Sequence, residues 1–423
     1  MIISGLQKTT NPAVVLPFYL YASLGYLVGT LLLLAGTEVA AAHHFNPQVL
    51  AITHTMALAW GTMIIFGASH QLLPVLVEGK LDSDLLAHLT FAFAAVGIPV
   101  LIYGFYAFNV GLPMQAGAVL VNLAVLFYLV NVVRSSLKSN GRNVHAWFVI
   151  TATVWLLATT LVGGVLVVNF SRNLLPGNSV EYLSLHAHLG IVGWFLLLVM
   201  GVGSRLIPMF LISKYTSNTT LWWIFGLLNG ALISFSCIYL YGHPATLFYL
   251  PLAVGAAAVL LFGRYCYKAW RVRIRKRVDQ QVATSLISVA QMVVPLVVLL
   301  AVLAFIPGEK LAFLYGFCIF FGWLTAIILG MTFKTMPFIV WNRVYHNKAH
   351  QGKTPAPKEL FREGIYNWML YCYLVGFVVF VAGTLTLNAW VLKAGALALV
   401  VSAALYVWNV VITLTHKAQR IDP

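Results

Sequence analysis

The sequence predicts an all-α membrane protein, a single integral membrane domain over residues 1–423 with about twelve transmembrane helices in three pseudo-repeated four-helix units. Three observations carry that prediction. Hydrophobic residues make up 61% of the chain and charged residues only 8%, with a mean hydropathy of +0.91, so polar surface is too scarce to coat a soluble globule of 423 residues. Apolar runs of about 20 residues recur along almost the whole length, each long enough at about 1.5 Å per residue to cross a hydrocarbon core of roughly 30 Å. One motif returns every fourth run.

In chain order the runs predict helices over 15–38, 48–77, 83–108, 114–134, 144–169, 183–213, 218–241, 246–268, 281–306, 311–340, 364–387 and 390–415. The N-terminal "MIISGLQKTTNPAVV" has no short apolar core ahead of a small-residue cleavage site, so the first helix is expected to be the insertion signal itself. The second, sixth and tenth helices carry the repeated motif and divide the chain into pseudo-repeats of approximately 12–140, 141–278 and 279–423.

Short loops rich in Lys and Arg stay on the cytoplasmic side. With the N-terminus inside, 22 of the 25 basic residues fall on the inner side, leaving only Arg172, Lys310 and Lys393 outside. The chain is therefore expected in the cell inner (cytoplasmic) membrane, with both termini cytoplasmic and the even-numbered helices running inward. The formal charge of +15 reflects this topology rather than a nucleic-acid patch, and the cluster "RVRIRKR" at 271–277 suits anionic lipid. Cys237, Cys266, Cys318 and Cys372 sit in or at the ends of apolar helices without a Cys-x-x-Cys pair, so neither a disulfide framework nor a zinc or iron–sulfur site is expected.

The repeat is the most informative feature. His54, Trp60, Gly67 and Pro74 in the second helix and His188, Trp194, Gly201 and Pro208 in the sixth both read His-x5-Trp-x6-Gly-x6-Pro; Trp323, Gly330 and Pro337 keep the spacing in the tenth, where Phe317 takes the histidine position. Steps of seven residues hold Trp, Gly and Pro near one stripe of a helix, drifting roughly 20° per step. Packing alone accounts for those three residue types, although Gly also admits a close neighbour or a flat cofactor. The histidines differ, because an imidazole inside an apolar span must be paired or ligated. His54 and His188 lie at matched depth on helices that run the same way, and are expected to bind a heme iron from both sides. His186 and His188 are two apart and point roughly 200° from each other. They are expected to address two different neighbours, unless His186 sits on a frayed first turn.

The segment "HAHLGIVGWFLLLVMGVGSRLIP" at 186–208 resembles the tenth helix of the catalytic subunit of heme-copper oxidases, especially the C-family oxidases and the related nitric oxide reductases, where His-x-His binds two hemes. "HTMALAWGTMIIFGASHQLLP" at 54–74 resembles the second helix of that subunit, which carries one ligand of the low-spin heme. Twelve helices in three pseudo-repeats is also that subunit's architecture. The resemblance implies heme b, one or two per chain, with His54, His188 and His186 as cofactor and metal ligands, and a quinol or cytochrome as electron donor. It implies an oxidoreductase closer to nitric oxide reduction than to oxygen reduction, or a protein that binds such a gas without turnover.

The departures are specific. The His pair lies in the sixth helix rather than the tenth, no Tyr follows a His by four residues in the sixth, and the seventh helix, "TTLWWIFGLLNGALISFSCIYLYG", has no histidine. Copper therefore has no copper B motif to hold it, and the chain is similar to a divergent relative such as the heme-containing NnrS-like membrane proteins linked to nitric oxide stress.

Among the other histidines, His43 and His44 in the outer loop read as exposed residues or as a copper or propionate contact. His70, about 24 Å along the helix from His54, reads as an inner-interface residue. His88 and His145 read as snorkelling or quinone-touching groups, Arg205 and Lys334 as inward snorkels, and His243, His346, His350 and His416 as loop or terminal residues. Three function classes stay open: a heme b protein of electron transfer or gas chemistry, a metal or small-solute transporter using the membrane histidines, and a non-catalytic subunit of a respiratory complex. Oligomeric state is left open, and the lipid bilayer is the one certain partner.

Overall fold

A computed structural model describes residues 10–38, 45–76, 79–138, 143–242, 244–305, 309–348 and 352–418. Among the described residues, twelve helices are long and apolar enough to cross a membrane: α1 (Pro12–Ala35), α2 (Pro47–Leu76), α3 (Asp84–Tyr106), α4 (Leu112–Leu137), α5 (Val144–Arg172), α6 (Ser179–Leu211), α7 (Asn218–Leu240), α8 (Ala245–Arg271), α9 (Gln280–Ala304), α10 (Lys310–Lys348), α11 (Glu363–Thr386) and α12 (Ala389–Leu414). The described residues contain no β-strand, only an isolated antiparallel bridge between Ser213, at the end of α6, and Arg273, after α8. The protein is a multi-pass helical membrane protein.

Several helix starts follow directly from sequence. Asn11, Asn46, Ser83, Asn143 and Asn388 each turn a side-chain oxygen onto a backbone N–H of the first turn, and Pro12 and Pro47 hold the next position. The helix over 311–340 is the one whose end departs most from its sequence-based bounds. α10 runs on to Lys348 because Tyr345 is fully buried, with its hydroxyl 2.9 Å from His416 Nε2, so protein packing rather than lipid sustains the polar last turns.

The three helices that carry the repeat form the centre. Windows of α2, α6 and α10 are 72%, 56% and 78% buried inside the protein, whereas the other nine range from 22% to 50%. Each of the three contains a wide π-helical stretch that begins directly after the histidine position of the motif, at Thr55–Thr62, Leu189–Leu196 and Cys318–Leu324. Such stretches are rare and concentrate at functional sites.

The motif residues lock these helices together. Trp60 Nε1 donates to Thr325 Oγ1 of α10 (3.0 Å), and Trp194 Nε1 donates to Thr62 Oγ1 of α2 (3.1 Å). The third contact of the series is missing, since Leu196 stands where Thr62 and Thr325 stand in their repeats. Gly67, Gly201 and Gly330 seat each central helix on the helix before it. A Cβ at these positions would lie 2.7 Å from Phe18 Cβ of α1, 2.7 Å from Phe148 Cγ of α5 and 2.6 Å from Ser285 Oγ of α9. The close approach that glycine allows is thus taken by helices, not by a cofactor.

Candidate metal centre

The imidazole of His54 projects from α2 just ahead of its π-helical stretch. Its Nδ1 lies 2.8 Å from the Leu50 carbonyl one turn back, and its ring stacks on Phe105 of α3 at 4.2 Å. Opposite stands His186 of α6, whose Nδ1 lies 3.1 Å from the Thr159 carbonyl of α5. A carbonyl only accepts, so in both rings Nδ1 carries the proton and Nε2 is the unprotonated nitrogen, with no partner among the described residues. This tautomer is the one a metal-binding histidine adopts when a backbone carbonyl orients it.

The two rings are nearly parallel, 20° between planes, with centroids 6.3 Å apart. Two metal–imidazole bonds of about 2 Å, with each nitrogen roughly 1.1 Å from its ring centre, place opposed ring centres about 6 Å apart. The spacing of the two rings is of the size that a shared metal requires. Gly163 makes room for the His186 ring: a Cβ there would lie 2.8 Å from His186 Cε1.

Both histidines border a cavity of about 750 Å³, within the size of cofactor sites, lined mainly by α2 to α6 with α9 and α10. Its walls are apolar, with Leu101, Val121, Leu156, Ile191 and Phe320 among them. No lysine or arginine lines it among the described residues. Glu181, at the mouth, is held by the start of α6, where its carboxylate accepts from Asn178 N (3.2 Å) and its carbonyl accepts from the Tyr239 hydroxyl.

His188 does not face His54. The sequence expectation paired these two; in the structure His186 stands opposite His54, and His188 points to the other side of α6. The cause is the helical phase itself: two residues on a regular turn diverge by about 200°, and α6 is seated on α5 through Gly193 and Gly201, which turns the His186 side toward α2 and α5. His188 Nδ1 bonds the Ser184 carbonyl at 2.8 Å, its ring packs on Phe235 of α7 at 4.6 Å, and its Nε2 lies 3.4 Å from the Tyr315 hydroxyl of α10. A second cavity of about 290 Å³ opens on this side, among α6 to α10. The paired histidines thus address two different neighbours, as the spacing predicts.

The remaining histidines are dispersed. His70 is buried (1% exposed) between Phe18 and Tyr128. His145 Nδ1 lies 3.1 Å from Ser204 Oγ and 3.2 Å from the Gly201 carbonyl of α6. Lys334 pairs with Asp279 instead of reaching out freely. His43, His44, His243 and His350 lie outside the described residues. Among the described residues no three His, Cys, Asp or Glu side chains gather as a metal site.

Sequence reading missed Gly163 and the Thr159 carbonyl, which nothing in a single sequence marks, and Tyr315, which the repeat does mark. The interval from His186 to Tyr315 equals that from Trp194 to Trp323, so Tyr315 occupies in α10 the register of His186 in α6.

No protein-family model matches this sequence, and no curated protein matches it. Among solved structures, a heme-copper terminal oxidase dimer determined by cryo-EM aligns with a TM-score of 0.64 over 97% of this chain and 86% of that chain, at 10% sequence identity. Sequence identity that low makes the likeness one of fold, and the chain is a twelve-helix membrane protein with the fold of a heme-copper terminal oxidase.

Proposed function

We propose that the protein is a heme-binding redox protein of the membrane, in which His54 and His186 would together hold one heme b. The observation that carries this reading is the pair of carbonyl-anchored imidazoles, 6.3 Å between ring centres, on facing central helices beside an apolar cavity. The likeness in fold to a solved heme-copper terminal oxidase supports it. A bound heme supplies reversible one-electron chemistry.

The chain's own residues set the terms of that chemistry. The Leu50 and Thr159 carbonyls fix tautomer and ring direction and raise the basicity of each ligand nitrogen. The apolar walls keep water from the centre, which tunes its potential. A heme held by both His54 and His186 would supply electron transfer rather than gas binding. His188, which points to the other side of α6, would be the residue to hold a group that binds or reduces a diatomic gas such as nitric oxide. A quinol or cytochrome is the donor in this scheme, and the cell inner membrane with both termini cytoplasmic is its location. Transport of a metal or solute gains no support from the site, since anchored imidazoles suit a resident group more than moving cargo.

The test is a reduced-minus-oxidised absorption spectrum of the full chain purified from heme-replete cells. A b-type spectrum with stoichiometric heme is expected. A colourless protein would refute the proposal.

A further inference from the structure

Where α11 starts and α12 ends, the two helices enclose a groove on the outer surface of the bundle. On α11, Ile365, Trp368 and Cys372 recur at steps of three and four; on α12, Val401, Leu405 and Trp408 recur at steps of four and three, so each set forms one stripe of its helix. The two stripes line a groove of about 950 Å³, open to the bilayer, with Trp368 65% and Trp408 57% exposed. Toward the other face of the membrane glycines bring these helices together, since a Cβ at Gly383 would lie 2.7 Å from Leu392 N and one at Gly395 2.6 Å from Phe380 N. Along the groove the ties are polar side chains. Ser402 Oγ donates to the Met369 carbonyl (2.9 Å), and Asn409 brackets residue 362, accepting from its backbone N–H at 2.9 Å and donating to its carbonyl at 3.0 Å. That bracket fixes the mouth of the groove, where the exposed Arg362 and Glu363 stand side by side. Among the described residues neither has an ion-pair partner.

We propose that this groove holds a phosphatidylethanolamine molecule of the bilayer, with an acyl chain along the groove, the phosphate on Arg362 and the ammonium on Glu363. The proposal is independent of the heme reading. Depth supports it first. The nine steps from Glu363 to Cys372 span about 13.5 Å, close to half of a hydrocarbon core of roughly 30 Å, so the groove runs the depth of one leaflet, as an acyl chain does. Its charged mouth then lies at headgroup level, and Trp368 and Trp408 sit just below it, in the belt where tryptophan gathers at membrane interfaces. On the orientation proposed above this is the cytoplasmic leaflet. Charge selects the headgroup. A phosphate accepts charge-assisted hydrogen bonds from a guanidinium, and a primary ammonium has three N–H groups to give a carboxylate, so the ethanolamine headgroup answers both residues of the mouth. An anionic glycerol headgroup answers Arg362 alone and sets a second negative group beside Glu363. A choline headgroup has no N–H to donate and is held by aromatic faces, whereas the mouth offers a carboxylate. A twofold copy of the chain would set this concave surface against itself and leave both grooves unfilled, while a row of methylene groups fills one.

The experiment offers the purified full chain equal amounts of ethanolamine, choline and glycerol phospholipids with identical acyl chains and counts the retained lipid by native mass spectrometry, for the wild type, Arg362→Gln, Glu363→Gln and Leu405→Trp. The wild type is expected to keep one ethanolamine lipid with at least tenfold preference over either competitor. A surface cation strengthens the hold on a lipid phosphate about fivefold, so Arg362→Gln should weaken retention by about that factor. Glu363→Gln should still retain a lipid but lose the preference of ethanolamine over choline. Leu405→Trp, which fills the groove without changing charge, should lose the retained lipid with its helical circular dichroism unchanged; should that variant misfold, the two exposed charge variants carry the test. Equal retention of the three lipids by the wild type overturns the proposal, as does an ethanolamine preference that survives Glu363→Gln or a preference for the glycerol lipid. A dimer without retained lipid, broken by Trp368→Ala, assigns the face to a second copy and overturns it too.

Discussion

Replacing Gly163 by alanine tests the geometry of the His54–His186 pair without touching either histidine. The added Cβ would lie 2.8 Å from His186 Cε1 and 3.4 Å from its Nδ1. Ordinary contact begins near 3.4 Å, so the ring must give by about 0.6 Å. It has little freedom to do so, because Nδ1 is held at 3.1 Å by the Thr159 carbonyl. Overpacking of this size costs about 1–3 kcal/mol, and displacing an oriented ligand costs typically 10–100-fold in metal affinity. Gly164→Ala is the control, since its Cβ would meet only Asn122 Nδ2 at an ordinary 3.4 Å. The assay is heme content and low-spin signal per protein, beside helical circular dichroism to show that the fold persists. Gly163→Ala should lose heme at least tenfold and Gly164→Ala should not. Wild-type heme content and spectrum in Gly163→Ala would refute the assignment of His186 to the centre.

Three further outcomes follow from the packing. Thr325→Ala leaves the fully buried Trp60 Nε1 without its acceptor and should cost about 1–3 kcal/mol, read as a lower midpoint of thermal unfolding in detergent. Gly330→Ala drives a Cβ to within 2.6 Å of Ser285 Oγ and close to the α9 backbone, and should destabilise by about 1–3 kcal/mol, whereas Gly226→Ala meets nothing within 4 Å and should be neutral or stabilising by up to about 1 kcal/mol through helix propensity. Equal melting of those two variants would contradict the seating of α10 on α9. Asp279→Asn removes the carboxylate shared by Lys334 and Arg275 at a partly exposed site, so a loss of about 1 kcal/mol or less is expected, shrinking as salt is raised.

Much of the fold is legible in the sequence because the membrane imposes it. A span of some twenty apolar residues has one physical solution, a helix that satisfies its own backbone, and all twelve predicted spans are present. The motif glycines are legible too, since Gly67, Gly201 and Gly330 mark where helices meet. What hydropathy cannot show is rotation. Whether His186 or His188 turns toward α2 depends on how α6 seats on α5, a tertiary fact set by Gly193, Gly201 and the side chains facing them. The π-helical stretches are equally hidden, because no residue type enforces them. Tyr315 was within reach: aligned by the tryptophans, α10 carries a tyrosine in the His186 register, but a change of residue type conceals a site from a search for histidines. The buried end of α10 was missed because its charged residues read as loop, while Tyr345 and His416 tie it to the end of α12.

The most direct test of the account is which histidine pairs with His54. Low-spin heme signals of His54→Ala, His186→Ala and His188→Ala, measured by electron paramagnetic resonance on purified protein, separate the alternatives. The structure predicts that His54→Ala and His186→Ala abolish the same bis-histidine signal and that His188→Ala preserves it. Survival of that signal in His186→Ala, with its loss in His188→Ala, would contradict the account.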